Sequence, residues 1–112
     1  MYSERRGIMD AQLRRGVLDV LVLSTLQSED SYGYKIIKDV KPVLDLSEST
    51  LYTILKRLIE EGMVESRSTE FEGRLRKYYH ITSKGMKRLM DFNEEWKELM
   101  AIYSFINKEG RR

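Results

Sequence analysis

The C-terminal part of the chain carries an apolar stripe that a chain of this size cannot bury alone. Within residues 83–107 the apolar side chains alternate between spacings of three and four residues, as in a coiled-coil seam: Leu89, Phe92, Trp96, Leu99, Tyr103 and Ile106. The chain has 112 residues, enough for one small domain with a limited core. A long amphipathic helix on such a domain predicts that a second copy covers the stripe, so we expect a homodimer.

The first predicted helix, residues 10–27, presents the same difficulty. It is apolar on most sides through VLDVLVLSTL at 17–26, and a helix of this kind is buried on several faces. Packing each protomer's last helix on the first and last helices of its partner would bury both surfaces. The apolar run is too short and too interrupted for a membrane span, so we expect no membrane partner.

Two shorter helices follow the first one. Residues 32–40 are predicted to form the second helix, which Pro42 closes, and the SEDS segment before it offers cap residues. Residues 47–61 are predicted to form the third, with Ser47 as the N-cap and Gly62 as the residue that ends it. Two helices joined in this way are typical of a helix-turn-helix.

A β-hairpin is predicted between the third helix and the last. Its strands are residues 63–70 and 77–82, and the loop between them contains Gly73. The complete order is helix, helix, helix, strand, strand, helix. It predicts a mostly helical α+β fold in one chain, with a winged helix-turn-helix over residues 10–82 and a C-terminal dimerisation helix over residues 83–108.

The third helix has two different faces. Its apolar side chains recur at helical spacing and are expected in the core: Leu51, Ile54, Leu55, Leu58 and Ile59. In a winged helix this element enters a DNA major groove, where base edges display distinct donors and acceptors. The outer face is therefore predicted to contact DNA through Ser49, Thr50, Tyr52, Thr53 and Lys56. For Tyr52 the alternative is packing against the hairpin.

Basic charge is concentrated near the hairpin. The net charge is only +2, but RLRKYYHITSKGMKR at 74–88 has six basic residues and no acidic one. We predict that Arg74, Arg76 and Lys77, at the tip of the hairpin, follow the DNA backbone as a wing. The acids Glu70 and Glu72 oppose this attraction. They favour the alternative function, a winged-helix protein-interaction module that does not bind DNA.

Residues that support catalysis or metal binding are scarce. The chain has no cysteine and one histidine, His80, so neither disulfides nor a protein-built zinc site is expected. It also has no Ser-His-Asp set and no Gly-rich phosphate loop. We therefore expect no enzymatic activity, no cofactor and no metal. The N-terminal MYSERRGIMD lacks the apolar region of a secretion signal, which favours a cytoplasmic location.

Three segments resemble the PadR family of bacterial transcriptional regulators. They are SYGYKIIKDV (31–40), STLYTILKRLIEEGMVES (49–66) and EGRLRKYYHITSKG (72–85). In that family a Tyr-Gly-Tyr sequence opens the second helix, TLY lies on the recognition helix, and RKYY precedes a Thr and a Gly after the wing. The short chain with one long terminal helix is similar to the small PadR subfamily, which includes a lactococcal multidrug-binding repressor.

The resemblance has implications for both DNA and ligand binding. It implies a homodimer that binds a near-palindromic double-stranded DNA operator and represses transcription, with Tyr32 and Tyr34 near backbone phosphate. In the lactococcal multidrug-binding repressor of the small subfamily, a tryptophan of the last helix meets its symmetry mate at the dimer centre and sandwiches flat aromatic drugs. Here the corresponding residue is Trp96, for which the alternative is a plain dimer-core residue. The implied effector site is lined by Met9, Leu13, Phe92, Trp96 and Met100, with Tyr103 one turn away.

The charge around this implied site suggests the kind of effector. Four acidic residues flank the tryptophan, and they would favour a cationic compound if they face inward: Asp91, Glu94, Glu95 and Glu98. The alternative is that they face solvent. A planar aromatic or cationic ligand would relieve repression by changing the angle between the protomers.

Overall fold

The computed structural model describes residues 9–107, in which four helices surround the base of one β-hairpin. The elements in chain order are α1 (Ala11–Thr25), α2 (Gly33–Val40), α3 (Glu48–Glu60), β1 (Val64–Phe71), β2 (Arg74–Ile81) and α4 (Ser83–Ile106). The predicted fold class, a winged helix-turn-helix with a long C-terminal helix, is confirmed. Residue 108, the last of the predicted dimerisation helix, lies outside the described residues.

Local capping chemistry sets the ends of the helices where the sequence predicted it. The Ser47 hydroxyl accepts a hydrogen bond from the Thr50 backbone N–H at 3.2 Å and begins α3. The Thr82 hydroxyl does the same for Gly85 at 3.2 Å and begins α4. After α3 the backbone turns left-handed at Gly62, with a φ of 78°, which stops the helix without a Cβ penalty.

The segment before α2 differs from the prediction. No side chain caps α2, whose N-cap position is Tyr32. The preceding residue, Ser31, instead pairs with Tyr79 of β2 through two backbone hydrogen bonds of 3.1 and 2.8 Å. Ser31 therefore does not cap α2 with its side chain. Its backbone N–H and C=O are satisfied by Tyr79 instead, and this pairing joins the turn after α1 to the hairpin.

The core lies where the inner faces of α1, α2 and α3 meet the base of the hairpin and the start of α4. Its fully buried side chains include Val22, Leu23, Leu26, Ile36, Leu51, Leu55 and Leu58. Truncating one of these leucines to alanine costs about 2–5 kcal/mol in a packed core. A half-buried ion pair between Arg57 and Asp19 also links α3 to α1 and fixes the orientation of the third helix.

The hairpin is longer, and its turn tighter, than the sequence predicted. The two strands pair without interruption from Val64 opposite Ile81 to Phe71 opposite Arg74. The turn consists of Glu72 and Gly73 alone, with φ angles of 51° and 80°, as in a type I′ turn. The predicted strand bounds, 63–70 and 77–82, are therefore wrong for residues 74–76, which pair in β2 instead of lying in a loop. The outer hairpin is exposed on both faces, so it has no apolar alternation from which a strand could be recognised.

The last helix packs on the domain only at its beginning. Gly85 and Leu89 are buried, and a Cβ at Gly85 would lie 2.6 Å from Cγ1 of Ile81, so this turn needs glycine to pack on the hairpin. From Asn93 onward almost every side chain is exposed. The exposed apolar ones include Trp96, Leu99, Met100, Ile102, Tyr103 and Ile106. Across residues 9–107, none of the helices combines the length and apolar character needed to cross a bilayer.

Candidate nucleic-acid interface

One face of α3 presents short hydroxyls and a lysine to solvent. The exposed residues on it are Ser49, Thr50, Tyr52, Thr53 and Lys56, all predicted from the sequence to contact DNA. The Ser47 hydroxyl donates to Oγ1 of Thr50 at 2.9 Å, and the Thr53 hydroxyl donates to the Ser49 carbonyl at 2.9 Å. These bonds hold the hydroxyls close to the helix, so the backbone of α3 can approach a partner surface closely.

Tyr52 packs against α2 and remains accessible. A Cβ on Gly33 would overlap its hydroxyl and lie 3.0 Å from its Cζ, so the ring occupies the space that a side chain at position 33 would take. The same ring helps to line a cavity of about 430 Å³ together with Lys77 and Tyr79. It is still 46% exposed. The ring of Tyr52 therefore packs on Gly33 of α2 and faces a cavity that it shares with the hairpin, while part of it stays exposed on α3.

Gly33 is a residue whose role sequence reasoning missed. It is the glycine of the Tyr-Gly-Tyr motif, and it stands at the first position of α2. Glycine is a poor helix former, so its presence at the start of a helix of eight residues was the available signal. The close approach of Tyr52 supplies the reason, because any larger residue would displace that ring.

The two tyrosines of the same motif face different surroundings. Tyr34 is 72% exposed at the start of α2. Tyr32 turns towards the hairpin, where its ring meets that of Tyr78 edge-on at 5.6 Å. The hydroxyl of Tyr34 is thus available to an outside partner, whereas the ring of Tyr32 joins α2 to β2.

Arg76 holds the wing against this tyrosine. Its guanidinium lies 3.9 Å from the ring centroid of Tyr32 and 3.8 Å from that of Phe71. It also donates a hydrogen bond to the Tyr78 hydroxyl at 3.3 Å, and this bond raises the pKa of Arg76 above the ordinary arginine value. We call these four residues the wing clamp. The other two predicted wing residues, Arg74 and Lys77, are exposed on β2 rather than in the turn, and neither forms an ion pair within residues 9–107.

A polar cluster next to the wing clamp fastens the base of the hairpin, and Arg67 joins the two, because it also lies 5.2 Å from the ring centroid of Tyr78. Asp30 is bonded to Nδ1 of His80 at 2.8 Å and accepts a hydrogen bond from Arg67 at 3.0 Å. The bond with His80 lowers the pKa of the Asp30 carboxyl, and Arg67 adds to this effect against the opposing cost of burial. His80 thus has a structural partner. No group of three side chains suited to a metal ion occurs in the part of the chain that the structure describes.

The predicted effector residues are only partly brought together. Trp96 and Met100 line an open apolar cavity of about 380 Å³ with Leu99, Ile102, Tyr103 and Ile106. Phe92 stacks on Trp96 at a centroid distance of 6.1 Å. Met9, which precedes α1, and Leu13, in its first turn, are exposed and do not line that cavity.

The acidic residues near Trp96 do not line the apolar cavity either. Three of them pair with basic neighbours on α4, with contacts of 3.0 Å from Lys87 to Asp91, 3.5 Å from Lys97 to Glu94 and 3.4 Å from Arg88 to Glu95. Their charges are therefore partly compensated along the helix. Within one protomer the exposed apolar side chains, rather than the acids, form the surface available to a ligand.

Comparison with known proteins assigns this fold and surface to a family. Residues 22–91 match the transcriptional regulator PadR-like family. The chain belongs to the PadR family. An uncharacterized protein from Lysinibacillus sphaericus is 33% identical to this PadR chain over 93 residues, which cover 79% of the chain and 85% of that protein.

Solved structures agree with the assignment. The crystal structure of a PadR family transcriptional regulator from Eggerthella lenta superposes with a TM-score of 0.80 at 29% identity and covers 96% of each chain. A transcriptional regulator from Clostridium thermocellum gives a TM-score of 0.75 at 35% identity, covering 88% of this chain and 98% of its own. PadR proteins are DNA-binding transcriptional regulators and not enzymes. The expectation that this chain is not an enzyme is thus confirmed.

Proposed function

We propose that this PadR protein is a homodimeric, sequence-specific repressor whose two α3 helices read a near-palindromic operator. The observation that carries the proposal is the exposed hydroxyl face of α3, in a fold that also exposes a tyrosine on α2 and, on β2, two cations without an ion pair among residues 9–107. In this proposal residues 10–82 form the DNA-binding unit and residues 83–108 the dimerisation helix.

The residues of α3 would read the major groove. Short hydroxyls permit close approach and can donate to or accept from base edges, and Lys56 can reach a guanine edge or a phosphate. The ring of Tyr52 would lie against thymine methyl groups or present its hydroxyl to a phosphate. The set proposed for the groove is Ser49, Thr50, Tyr52, Thr53 and Lys56.

The flanking elements would hold the DNA backbone. Tyr34 and Tyr32 lie at the start of α2, where a helix N-terminus favours phosphate. Arg74 and Lys77 supply free positive charge along β2, and Arg76 adds its charge while keeping the wing in place. Contacts of this kind fix the position of the protein on the duplex without reading its sequence.

Dimerisation would cover the exposed face of α4. The side chains on it are large and apolar, and Trp96, Leu99 and Tyr103 are each between 44% and 50% exposed. Apolar patches of this size on soluble proteins mark interaction sites. A two-fold arrangement would bring the two recognition helices to successive major grooves, about one helical turn apart.

The effector site is proposed at the centre of this dimer. Similarity to the small PadR subfamily and the apolar cavity beside Trp96 support a planar aromatic ligand stacked between the two tryptophans, with Phe92 and Met100 beside it. Leu13 of the partner's α1 and Met9 just before that helix would complete the lining. The ligand could relieve repression only by binding more tightly to the protomer angle that fits the operator less well.

The test is fluorescence anisotropy of the purified protein on labelled DNA from upstream of its own gene, against a scrambled duplex, over a salt series. We expect tight binding to the first duplex alone, falling steeply with salt as phosphate contacts require. Ethidium, a planar aromatic cation, should quench Trp96 fluorescence of the DNA-free protein. Because ethidium also intercalates in DNA, its release of the labelled duplex counts only where the parent protein loses DNA at a lower ethidium concentration than a Trp96→Ala variant does. Absence of binding to either duplex at low salt would instead support the protein-interaction module.

A further inference from the structure

The groove between α1 and the N-terminal half of α3 is a cationic site whose α3 wall carries hydroxyls proposed above to read the major groove, while the arginines of its α1 wall have no role in that proposal. Its volume is about 350 Å³. One wall is formed by α1 and the other by the hydroxyl face of α3, and no acidic side chain lines it. Its polar lining residues are Arg14, Arg15, Ser49, Thr50, Thr53 and Arg57.

The two arginines on the α1 wall are electrostatically available. Neither Arg14, which is half-buried, nor exposed Arg15 forms an ion pair or a ring contact with any residue from 9 to 107. Other arginines of the same part of the chain are engaged by carboxylates or rings: Arg57, Arg67, Arg76 and Arg88. Two guanidinium groups in adjacent positions therefore line a groove in which residues 9–107 place no compensating negative charge.

The α3 wall supplies further hydrogen-bond donors. The Thr50 hydroxyl accepts from Ser47, which leaves its own proton available to another acceptor. Arg57 donates from Nη2 to Asp19, while its buried Nε has no acceptor among the described residues. That Nε is enclosed by protein, so the α3 wall would meet a ligand in the groove through its exposed hydroxyls rather than through Arg57.

We propose that this groove holds a backbone phosphate of the operator, bound by Arg14 and Arg15 beside the first turns of α3. The inference rests on the proposed DNA binding and extends the interface to α1. Guanidinium groups bind phosphate oxygens through paired, charge-assisted hydrogen bonds, which suits two arginines on one helix. Because the hydroxyl face of α3 forms the opposite wall, a strand that borders the major groove would pass this site when α3 enters the groove.

The first test removes the two charges and measures the salt dependence of binding. In the double variant Arg14→Gln/Arg15→Gln, a dimer loses one phosphate contact in each protomer. The slope of log K against log salt should then become less steep by about 2 × 0.9, or about 1.8. Affinity should fall about tenfold or more, by the same factor for the operator and for the scrambled duplex, because a phosphate contact carries no sequence information.

Two further variants separate a phosphate contact from a loss of charge or of structure. Lys87→Gln/Lys97→Gln removes the same net charge from α4 and should leave the slope unchanged. Arg14→Lys/Arg15→Lys retains both charges and should retain the slope, whatever affinity it loses. Circular dichroism of all variants should match that of the parent protein, since neither arginine is part of the core.

The second test locates the phosphate. Each backbone phosphate of the operator is replaced in turn by an uncharged methylphosphonate, and binding of the parent protein is compared with that of Arg14→Gln/Arg15→Gln. At the contacted phosphate of each half-site, the replacement should weaken the parent protein and have little effect on the variant. If every methylphosphonate weakens binding of the variant by the same factor as binding of the parent protein, no phosphate depends on these arginines and the inference is wrong.

The outcomes distinguish this inference from the proposal on which it rests. If the parent protein prefers its operator but the Gln double variant binds with the same affinity and slope, the groove makes no phosphate contact and only the inference is wrong. If the parent protein binds no duplex, both are rejected.

Discussion

Replacing Arg76 by lysine tests whether the wing clamp, rather than charge alone, positions the hairpin. Lysine keeps the positive charge but lacks the planar guanidinium that lies on Tyr32 and Phe71 and donates to the Tyr78 hydroxyl. We expect Arg76→Lys to lower both the stability of the domain and its affinity for the operator. The salt slope should stay that of the parent protein because no charge is lost.

The size of the effect follows from the contacts. Each ring contact contributes about 0.5–1 kcal/mol at a partly exposed site, and the hydrogen bond contributes about 0.5–1.5 kcal/mol. Lysine retains part of the attraction to one ring, so we expect the free energy of unfolding to fall by about 1–2 kcal/mol. For a chain of this length, such a loss lowers Tm by about 5 °C.

Thermal unfolding followed by circular dichroism measures the first quantity, at one protein concentration for all variants because a dimer's Tm depends on it. Arg74→Lys is the matched control, since Arg74 is exposed on the same strand and has no ring contact. If Arg76→Lys unfolds at the temperature of the parent protein and binds DNA equally well, the clamp does not stabilise the wing. If Arg76→Gln flattens the salt slope as much as Arg74→Gln does, Arg76 contacts a phosphate in addition to holding the wing.

Three further predictions concern the dimer, the turn and the base of the hairpin. Leu99→Asp places a carboxylate on the exposed apolar face of α4 and should raise the dimer dissociation constant more than 100-fold, which is a loss of about 2.7 kcal/mol in the free energy of association. Sedimentation velocity measures this constant, and the control Lys97→Asp on the same helix should leave it unchanged. Glu72→Asn suits the left-handed φ of 51° and should stabilise the protein by about 0.5–1 kcal/mol in thermal unfolding; Glu72→Gln, which removes only the charge, should not. Asp30 has a lowered pKa, so its contribution to stability is present above the ordinary aspartate pKa of about 3.9 and is lost as the pH falls through the lower folded value. In acid titrations, the stability advantage of the parent protein over Asp30→Asn should therefore shrink below about pH 4, and an advantage independent of pH would contradict the assignment.

Much of the fold could be predicted because its signals are local. The apolar spacing of Leu51, Ile54 and Leu58 identified the inner face of α3 and, by exclusion, its hydroxyl face. Ser47 and Gly62 marked its ends by cap chemistry that depends on a few neighbouring residues. The same reasoning identified α4 and its apolar stripe.

The contacts that position the hairpin could not be predicted in this way. The sequence places Arg76 at the tip of the hairpin, but nothing in the charge pattern indicates that its guanidinium stacks on the ring of Tyr32, which is far away in the sequence. The overlap of Tyr52 with a side chain at position 33 depends on how α2 crosses α3. Such contacts join residues distant in the chain, so they follow from the tertiary arrangement and leave no periodic trace in the sequence.

The attachment of the hairpin bears on how sensitive the proposed DNA binding would be to the spacing between the two half-sites of the operator. Backbone pairing of Ser31 with Tyr79, the bond between Asp30 and His80, and the wing clamp fasten the hairpin to the helical body at several points. In the proposed dimer, the wing and the recognition helix would then rotate about α4 as one rigid body. The molecule is 63 Å long, so the distance from α4 to the far end of this body is about half of that length. Over an arm of about 30 Å, a rotation of about 6° shifts the far end by about 3 Å, close to the 3.4 Å rise of one base pair. A slight turn at the α4 seam would therefore put the protomers out of step with their half-sites by nearly one base pair.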